Sequence, residues 1–253
     1  MEFTFNEYKR IIDTLKKQHY SFSGYTDYEQ NEKSVILRHD VDVSLRKALE
    51  MAEFEHSQGV ISTYFILITA DFYNAFNKRN RERIEKIKEL GMEIGLHFDE
   101  TIYPLGCDIV SAVRDEIRIM QKMLGIQIKS VSMHVPSEKT LKADYKFGKL
   151  CGGGLDQTII NSYSHVFWNE FKYVSDSKRR WRENIYEVIK SEKYPRIHLL
   201  THPIWYHQED ISMWDTVSEE MRLWAEEEYD DFEIHTCGVE GRKTVEECLK
   251  GTE

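Results

Sequence analysis

Cysteine, proline and long apolar runs are all scarce in this sequence. Its 253 residues include four cysteines and four prolines. Cys107, Cys151, Cys237 and Cys248 stand far apart and form no Cys-x-x-Cys pair, so neither a zinc ribbon nor a disulfide framework has support. Reduced thiols are the expectation. No apolar run of about 18 residues occurs, and Met1 to Lys17 is charged and amphipathic without the apolar centre of a signal peptide. A soluble, cytoplasmic protein without membrane insertion is therefore expected. Positive charge is in deficit as well, with 34 Lys and Arg against 44 Asp and Glu and a formal net charge of −10. That balance argues against nucleic acid or anionic membrane as a general partner, and leaves open only a local basic cluster. A Gly-rich linker, an internal repeat and a low-complexity segment are missing too. Residues 1–253 accordingly read as one domain, with 1–33 as an N-terminal helical cap. Oligomeric state is not readable from the sequence.

What is present is a chain 41% hydrophobic and 12% aromatic, enough for a large core. Its hydrophobic period alternates between β-rich runs and amphipathic helical stretches. Strands are predicted at Ser34 to Leu37, Thr63 to Ile68, Glu93 to Phe98, Lys129 to Val135, Asp156 to Asn161, Phe171 to Ser175 and Arg196 to Leu200. Helices are predicted from Ser44 to about Gln58, Lys78 to Leu90, Leu105 to Leu124, Lys139 to Leu150, Asn184 to Lys193 and Ser212 to Tyr229. Ser44 serves as an N-cap, and Gly59, Gly91 and Gly125 as stop signals. Between Asn161 and Phe171 no full helix fits. About seven strands with helices between most of them predict an α/β fold, a distorted or incomplete parallel β/α barrel. A doubly wound sheet is the second choice.

Polar, metal-capable residues fall at the C-terminal end of one predicted strand after another, the edge where active sites of parallel α/β folds lie. Asp40 and Asp42 follow the first strand, His97 and Asp99 end the third, His134 the fourth, and Asp176 and His202 the sixth and seventh. Pro136 and Pro203 lack the amide proton that a central strand needs, which places His134 and His202 at strand exits. Asp40 and Asp42, two apart, share one strand face, and two adjacent carboxylates repel unless a cation or proton intervenes. A divalent metal would resolve the repulsion, with one carboxylate as ligand and the other as general base; an N-cap or turn role for Asp42, close to Ser44, is the alternative. Asp42, His97 and His134 would form a two-histidine, one-carboxylate set suited to zinc and related divalent ions. Asp99 shares the face of His97 and would replace or support a ligand. His202 could donate a proton to a leaving group. Asp176 and Trp181 are candidates to line the pocket or orient a catalytic group. His39, out of phase with the two aspartates, His198, deeper in its strand, and His207 read as structural.

These segments resemble the polysaccharide deacetylase (NodB homology) superfamily, whose members remove N-acetyl groups from sugars. The likeness runs in order from residue 34 to 206. Arg38-His39-Asp40-Val41-Asp42 looks like the first motif, which implies Asp40 as base and Asp42 as ligand. Glu93-Ile94-Gly95-Leu96-His97 looks like the second, with the first histidine ligand. Ser132 to Ser137 lies where the third belongs, Phe171 to Trp181 resembles the fourth, and Leu199 to Pro203 the fifth, whose histidine is the catalytic acid. Two departures mark a divergent branch similar to deacetylase-like proteins of surface-polysaccharide biosynthesis. Thr101 stands where a second histidine ligand is usual, and His134 where the third motif usually carries a basic residue. His134 or Asp99 would supply the missing ligand. The resemblance implies a NodB-type barrel, a divalent metal (zinc first, with cobalt, nickel or manganese as alternatives) and an N-acetylated saccharide precursor as substrate. A catalytically inactive sugar-binding barrel, or a metal-dependent hydrolase of another amide or ester, is the rival reading.

Overall fold

The computed structural model describes residues 1–150 and 157–236. Cys151, Cys237, Cys248 and the predicted strand start at Asp156 lie outside the described residues, and Cys107 is a free thiol. The chain divides into two compact units, Met1–Glu209 and Asp210–Glu253.

The first unit contains the strands β1 (Ser21–Phe22), β2 (Ser34–Val41), β3 (Thr63–Leu67), β4 (Glu93–Asp99), β5 (Ser130–His134), β6 (Lys149–Leu150), β7 (Gln157–Thr158), β8 (Ile160–Asn161), β9 (Lys172–Ser175) and β10 (Arg196–Thr201). Its helices are α1 (Phe5–Lys17), α2 (Leu45–Ser57), α3 (Lys78–Glu89), α4 (Ile109–Leu124), α5 (Glu138–Ala143), α6 (His165–Asn169) and α7 (Ile185–Lys190). Seven strands form one path, β8-β5-β4-β3-β2-β10-β9, with all neighbours parallel and β1 pairing beside β2. The sheet is curled and open, a half-barrel, as the alternation of strand and helix signals predicts. β6 and β7 make a separate antiparallel pair.

Local chemistry sets the boundaries. Ser44 caps α2 by accepting from Lys47 N, as read from the sequence. The helix predicted from Leu105 begins only at Ile109, because Gly106 turns at φ 85° and the Asp108 carboxylate caps Val110 N and Ser111 N. The helix predicted over Lys139 to Leu150 is cut to α5, since Asp144 adopts φ 42°, and Lys149–Leu150 pair as β6 instead.

Each central strand serves two layers. The outward residues Val35, Leu37 and Val41 of β2, Tyr64 and Ile66 of β3, and Leu96 and Phe98 of β4 join the large core cluster with Tyr8, Ile12 and Met51 of the helices. The inward residues Ile36 and Phe65 join a smaller aromatic cluster with Tyr25, Tyr28, Phe167 and Phe171. That plug fills the inside of the half-barrel and leaves the C-terminal strand ends as its polar mouth. In β4, a Cβ on Gly95 would come within 2.5 Å of the Phe65 ring, so the glycine makes room for the plug.

The second unit contains α8 (Met213–Thr236). Its start is a reciprocal cap, in which Ser212 Oγ accepts from Asp215 N at 3.1 Å and Ser212 N donates to Asp215 Oδ2 at 3.3 Å. Among the described residues no helix is long and apolar enough to cross a membrane.

Candidate metal centre and catalytic groups

Period-two geometry on β2 and its neighbours builds the site. Ile36, Arg38, Asp40 and, just beyond the strand, Asp42 follow one another up the inner face. On β4 the same alternation presents His97 above Gly95, and on β5 it presents Ser132 and His134. The register pairs Asp99 with His134 and His97 with Ser132, so both histidines stand side by side at the mouth. Val135, a β-branched residue at φ 42°, breaks the strand immediately after His134, ahead of Pro136.

Three donor atoms converge. His97 Nε2 lies 3.2 Å from Asp42 Oδ1, His134 Nδ1 lies 3.4 Å from the same oxygen, and the two ring nitrogens are 3.2 Å apart. Ligand atoms about 2.1 Å from a tetrahedral ion are roughly 3.4 Å from one another, so this spacing fits a zinc-sized cation. Asp42 Oδ1 is buried without a hydrogen bond of ordinary geometry. A buried carboxylate oxygen facing two imidazole nitrogens is a donor set suited to a divalent cation. His97 is oriented from behind, with Nδ1 3.3 Å from the Ser132 carbonyl oxygen. Burial alone would raise the Asp42 carboxyl, but the imidazoles of His134 and His97 hold it below the ordinary carboxylate range. His134 is pushed up, chiefly by Asp42.

Asp40 sits one step deeper, its Oδ2 3.6 Å from His97 Nε2. Arg38, only 1% exposed, grips it in a fork: Nε donates to Oδ1 at 2.8 Å and Nη2 to Oδ2 at 2.7 Å. Nη2 also donates to Ser132 Oγ and, at 3.3 Å, to the Tyr163 hydroxyl, while the Tyr163 and Phe65 rings cover the guanidinium at 4.8 and 5.5 Å. Burial would raise the Asp40 carboxyl, yet the Arg38 charge and then His97 bring it below its ordinary value.

His202 approaches from β10, with Nε2 3.8 Å from Asp42 Oδ2. Its Nδ1 is 2.6 Å from Asp176 Oδ1, and its backbone N–H donates to Asp176 Oδ2 at 3.1 Å. The Tyr206 hydroxyl donates to the same Oδ2 at 3.3 Å. Burial would lower the imidazole, but Asp176, helped by Asp40 and Asp42, more than offsets it and lifts His202 to about 9.

The structure thus brings Asp40, Asp42, His97, His134, Asp176 and His202 to one mouth. Asp99 stands beside His134 in register and its charge helps to raise that imidazole, but its hydrogen bonds go to a turn. Asp99 Oδ1 accepts from Thr101 N and Oγ1 at 2.8 and 2.7 Å, so it caps the turn at Thr101, and Trp181 is half-buried against the large core cluster. His39 faces outward, where Nδ1 meets Thr201 Oγ1 at 2.7 Å and Nε2 meets Glu55 at 2.8 Å. His198 lies deep on the inner face, its Nε2 2.7 Å from the Tyr25 hydroxyl, and His207 is buried, with its carbonyl accepting from Phe5 N. Arg38 is not among the candidates that stand out in the sequence, although the alternation that joins Asp40 to Asp42 also carries residue 38; nor are Ser132 and Tyr163, whose part depends on that buried guanidinium.

No family model matches the chain, and no curated protein matches it. Solved structures do. A CE4 family pseudoenzyme from Bacillus anthracis is similar at 14% identity and a TM-score of 0.42, covering 76% of this chain; this chain spans 62% of that protein's length. A peptidoglycan N-acetylglucosamine deacetylase is similar at 17% identity and a TM-score of 0.43, over 84% of this chain and 89% of its own. A protein described as a polysaccharide deacetylase involved in O-antigen biosynthesis, from Bordetella bronchiseptica, is similar at 12% identity and a TM-score of 0.39, over 75% of this chain and 80% of its own. The chain resembles polysaccharide deacetylases of known structure. At these identities and TM-scores its chemistry has to be read from its own side chains.

Proposed function

We propose that the chain is a metal-dependent hydrolase that removes an N-acetyl group from a saccharide, in line with its resemblance to the polysaccharide deacetylases. The observation that carries the reading is the convergence of Asp42, His97 and His134 beside an Arg-held carboxylate, Asp40, and an Asp-held imidazole, His202. Asp42, His97 and His134 would hold a divalent ion, zinc first, with cobalt, nickel or manganese as alternatives. Such an ion, when bound, polarises an acetyl carbonyl and makes a neighbouring water more acidic.

The rest falls to the chain. Asp40, kept ionised by Arg38, accepts a proton from the attacking water. His202, kept protonated by Asp176, donates a proton to the sugar nitrogen as the C–N bond breaks, so that acetate and a free amine leave. The Asp40 and His202 environments push one group toward ionisation and the other toward protonation, the division of labour that an acid–base pair needs. A saccharide precursor of surface polysaccharide, met in the cytoplasm, is the substrate proposed.

The test pairs metal analysis with acetate release from N-acetylated saccharides. Asp40→Asn is expected to lower kcat by about 100- to 10,000-fold while keeping the metal. His97→Ala is expected to lose both. Chelation should stop acetate release, and added zinc, cobalt, nickel or manganese should restore it. Saccharide binding without acetate release under every metal would establish the inactive sugar-binding barrel that Thr101, in the place of a second histidine, brings to mind. Release of a different acid from other acylated substrates would move the assignment to another amide or ester.

A further inference from the structure

The chain has a net charge of −10, yet residues 178–182 read Lys-Arg-Arg-Trp-Arg, four cations in five positions. This run lies at the mouth of the half-barrel. It begins three residues after the end of β9 and two after Asp176, the carboxylate that holds His202 at 2.6 Å. Lys178 and Arg179 both adopt positive φ, 61° and 54°, a conformation that side-chain-bearing residues adopt rarely. The turn is pinned: Arg180 N donates to the Asp176 carbonyl at 3.1 Å, and Ser177 N to Ser175 Oγ at 3.0 Å. Arg179 is turned onto the Phe3 ring at 5.2 Å, and Trp181 packs into the core, so these two anchor the loop. Lys178, Arg180 and Arg182 are exposed, and none enters an ion pair among the described residues. The adjacent Glu183 is committed to Lys172 at 2.6 Å.

Three exposed like charges within five residues, two of them on the turn itself, gain nothing from a neutral sugar. An anion carrying two or more charges balances them, and two guanidiniums offer forked donors that match phosphate oxygens. We propose that Lys178, Arg180 and Arg182 bind a phosphate or diphosphate on the saccharide whose N-acetyl group enters the site. The proposal rests on the reading of that site as an N-acetyl-saccharide hydrolase. It makes the substrate a carrier-linked sugar. A nucleoside diphosphate and a polyprenyl diphosphate present the same chemistry to the turn.

Inorganic pyrophosphate is titrated by calorimetry into the metal-loaded protein, into Lys178→Gln/Arg180→Gln/Arg182→Gln, and into a control, Lys78→Gln/Arg81→Gln/Lys88→Gln, which removes three exposed cations of α3. The turn variant is expected to bind about ten- to a hundredfold more weakly with an unchanged melting temperature, and the control to bind as the wild type does. Kinetics add a second readout. The turn variant should raise KM for a diphosphate-linked N-acetyl sugar with kcat kept, so that its preference for that sugar over the free N-acetyl sugar falls about tenfold or more. Parallel assays with a nucleoside-diphosphate sugar and a polyprenyl-diphosphate sugar identify the source by which KM the variant raises. Equal pyrophosphate binding by the turn variant and the wild type, or equal loss in the control, overturns the proposal even if acetate is released. Loop-dependent pyrophosphate binding with no acetate from any sugar leaves the phosphate site standing and overturns the hydrolase reading instead.

Discussion

Arg38 is wholly buried, so its guanidinium must find its partners inside the fold. Asp40 takes two donors in a fork, and Ser132 and Tyr163 share the same Nη2. Arg38→Met leaves a buried carboxylate uncompensated, and a loss of about 3–5 kcal/mol in urea denaturation is expected. Arg38→Lys keeps the charge but not the planar fork, so kcat should fall about 10- to 100-fold with a smaller loss of stability. Wild-type turnover in Arg38→Lys would show that the fork does nothing for Asp40. The presence of residue 38 on the site face is legible in strand alternation. Its partnership is not, because Ser132 lies 94 positions away and only the fold brings it near. Arg38 and His134 thus have separate partners, the first gripping Asp40 and the second standing 3.4 Å from Asp42 Oδ1. The choice between His134 and Asp99 was likewise open in sequence, since both sit at strand ends; the turn at Thr101 engages Asp99.

β2, β4 and β10 were readable as strands because apolar runs and flanking turn residues agree. The helical period overruns α5 because it says nothing of Asp144 entering a left-handed conformation. Gly95, two residues before His97, has the Phe65 ring as its close neighbour. Gly95→Ala should therefore destabilise the protein by about 1–3 kcal/mol through overpacking, and should weaken metal binding by displacing His97 two residues on. Combining it with Phe65→Leu is expected to recover much of that loss, and a strictly additive pair would argue against the steric account. The outward face of β2 has its own polar knot. Glu55 of α2 receives His39 at 2.8 Å and the hydroxyls of Tyr8, Ser62 and Tyr64 at 2.6, 2.5 and 2.8 Å, which ties α1, α2 and β3 to the strand that carries the aspartates. Sequence shows His39 out of phase with the site but not this carboxylate waiting behind it.

Stability of the molecule against pH should reflect His198. Burial, and then the charge of Arg38, press its imidazole down to about 3, whereas in the unfolded chain it titrates near 6.5. The folded protein thus keeps it neutral while the unfolded chain takes up a proton. The contribution is complete above pH ~6.5 and is lost as pH falls toward 3, at about 1.4 kcal/mol per unit. Denaturation at pH 7 and pH 5 should therefore show the wild type losing about 2 kcal/mol more than His198→Phe. Parallel losses in the two proteins would rule His198 out as the source. Glu116 works in the opposite sense: burial lifts it to about 7, so its contribution is present below its unfolded value and fades as pH rises through 7. β2 places a further condition on the whole chain, because Arg38 and Asp40 look one way and His39 the other. Inserting or deleting a single codon just ahead of Arg38 would swap these audiences, sending the guanidinium and carboxylate under the helices and the Glu55 partner into the mouth. Natural and engineered variants should accordingly tolerate point changes between Ser34 and Asp42 far better than any change in its length.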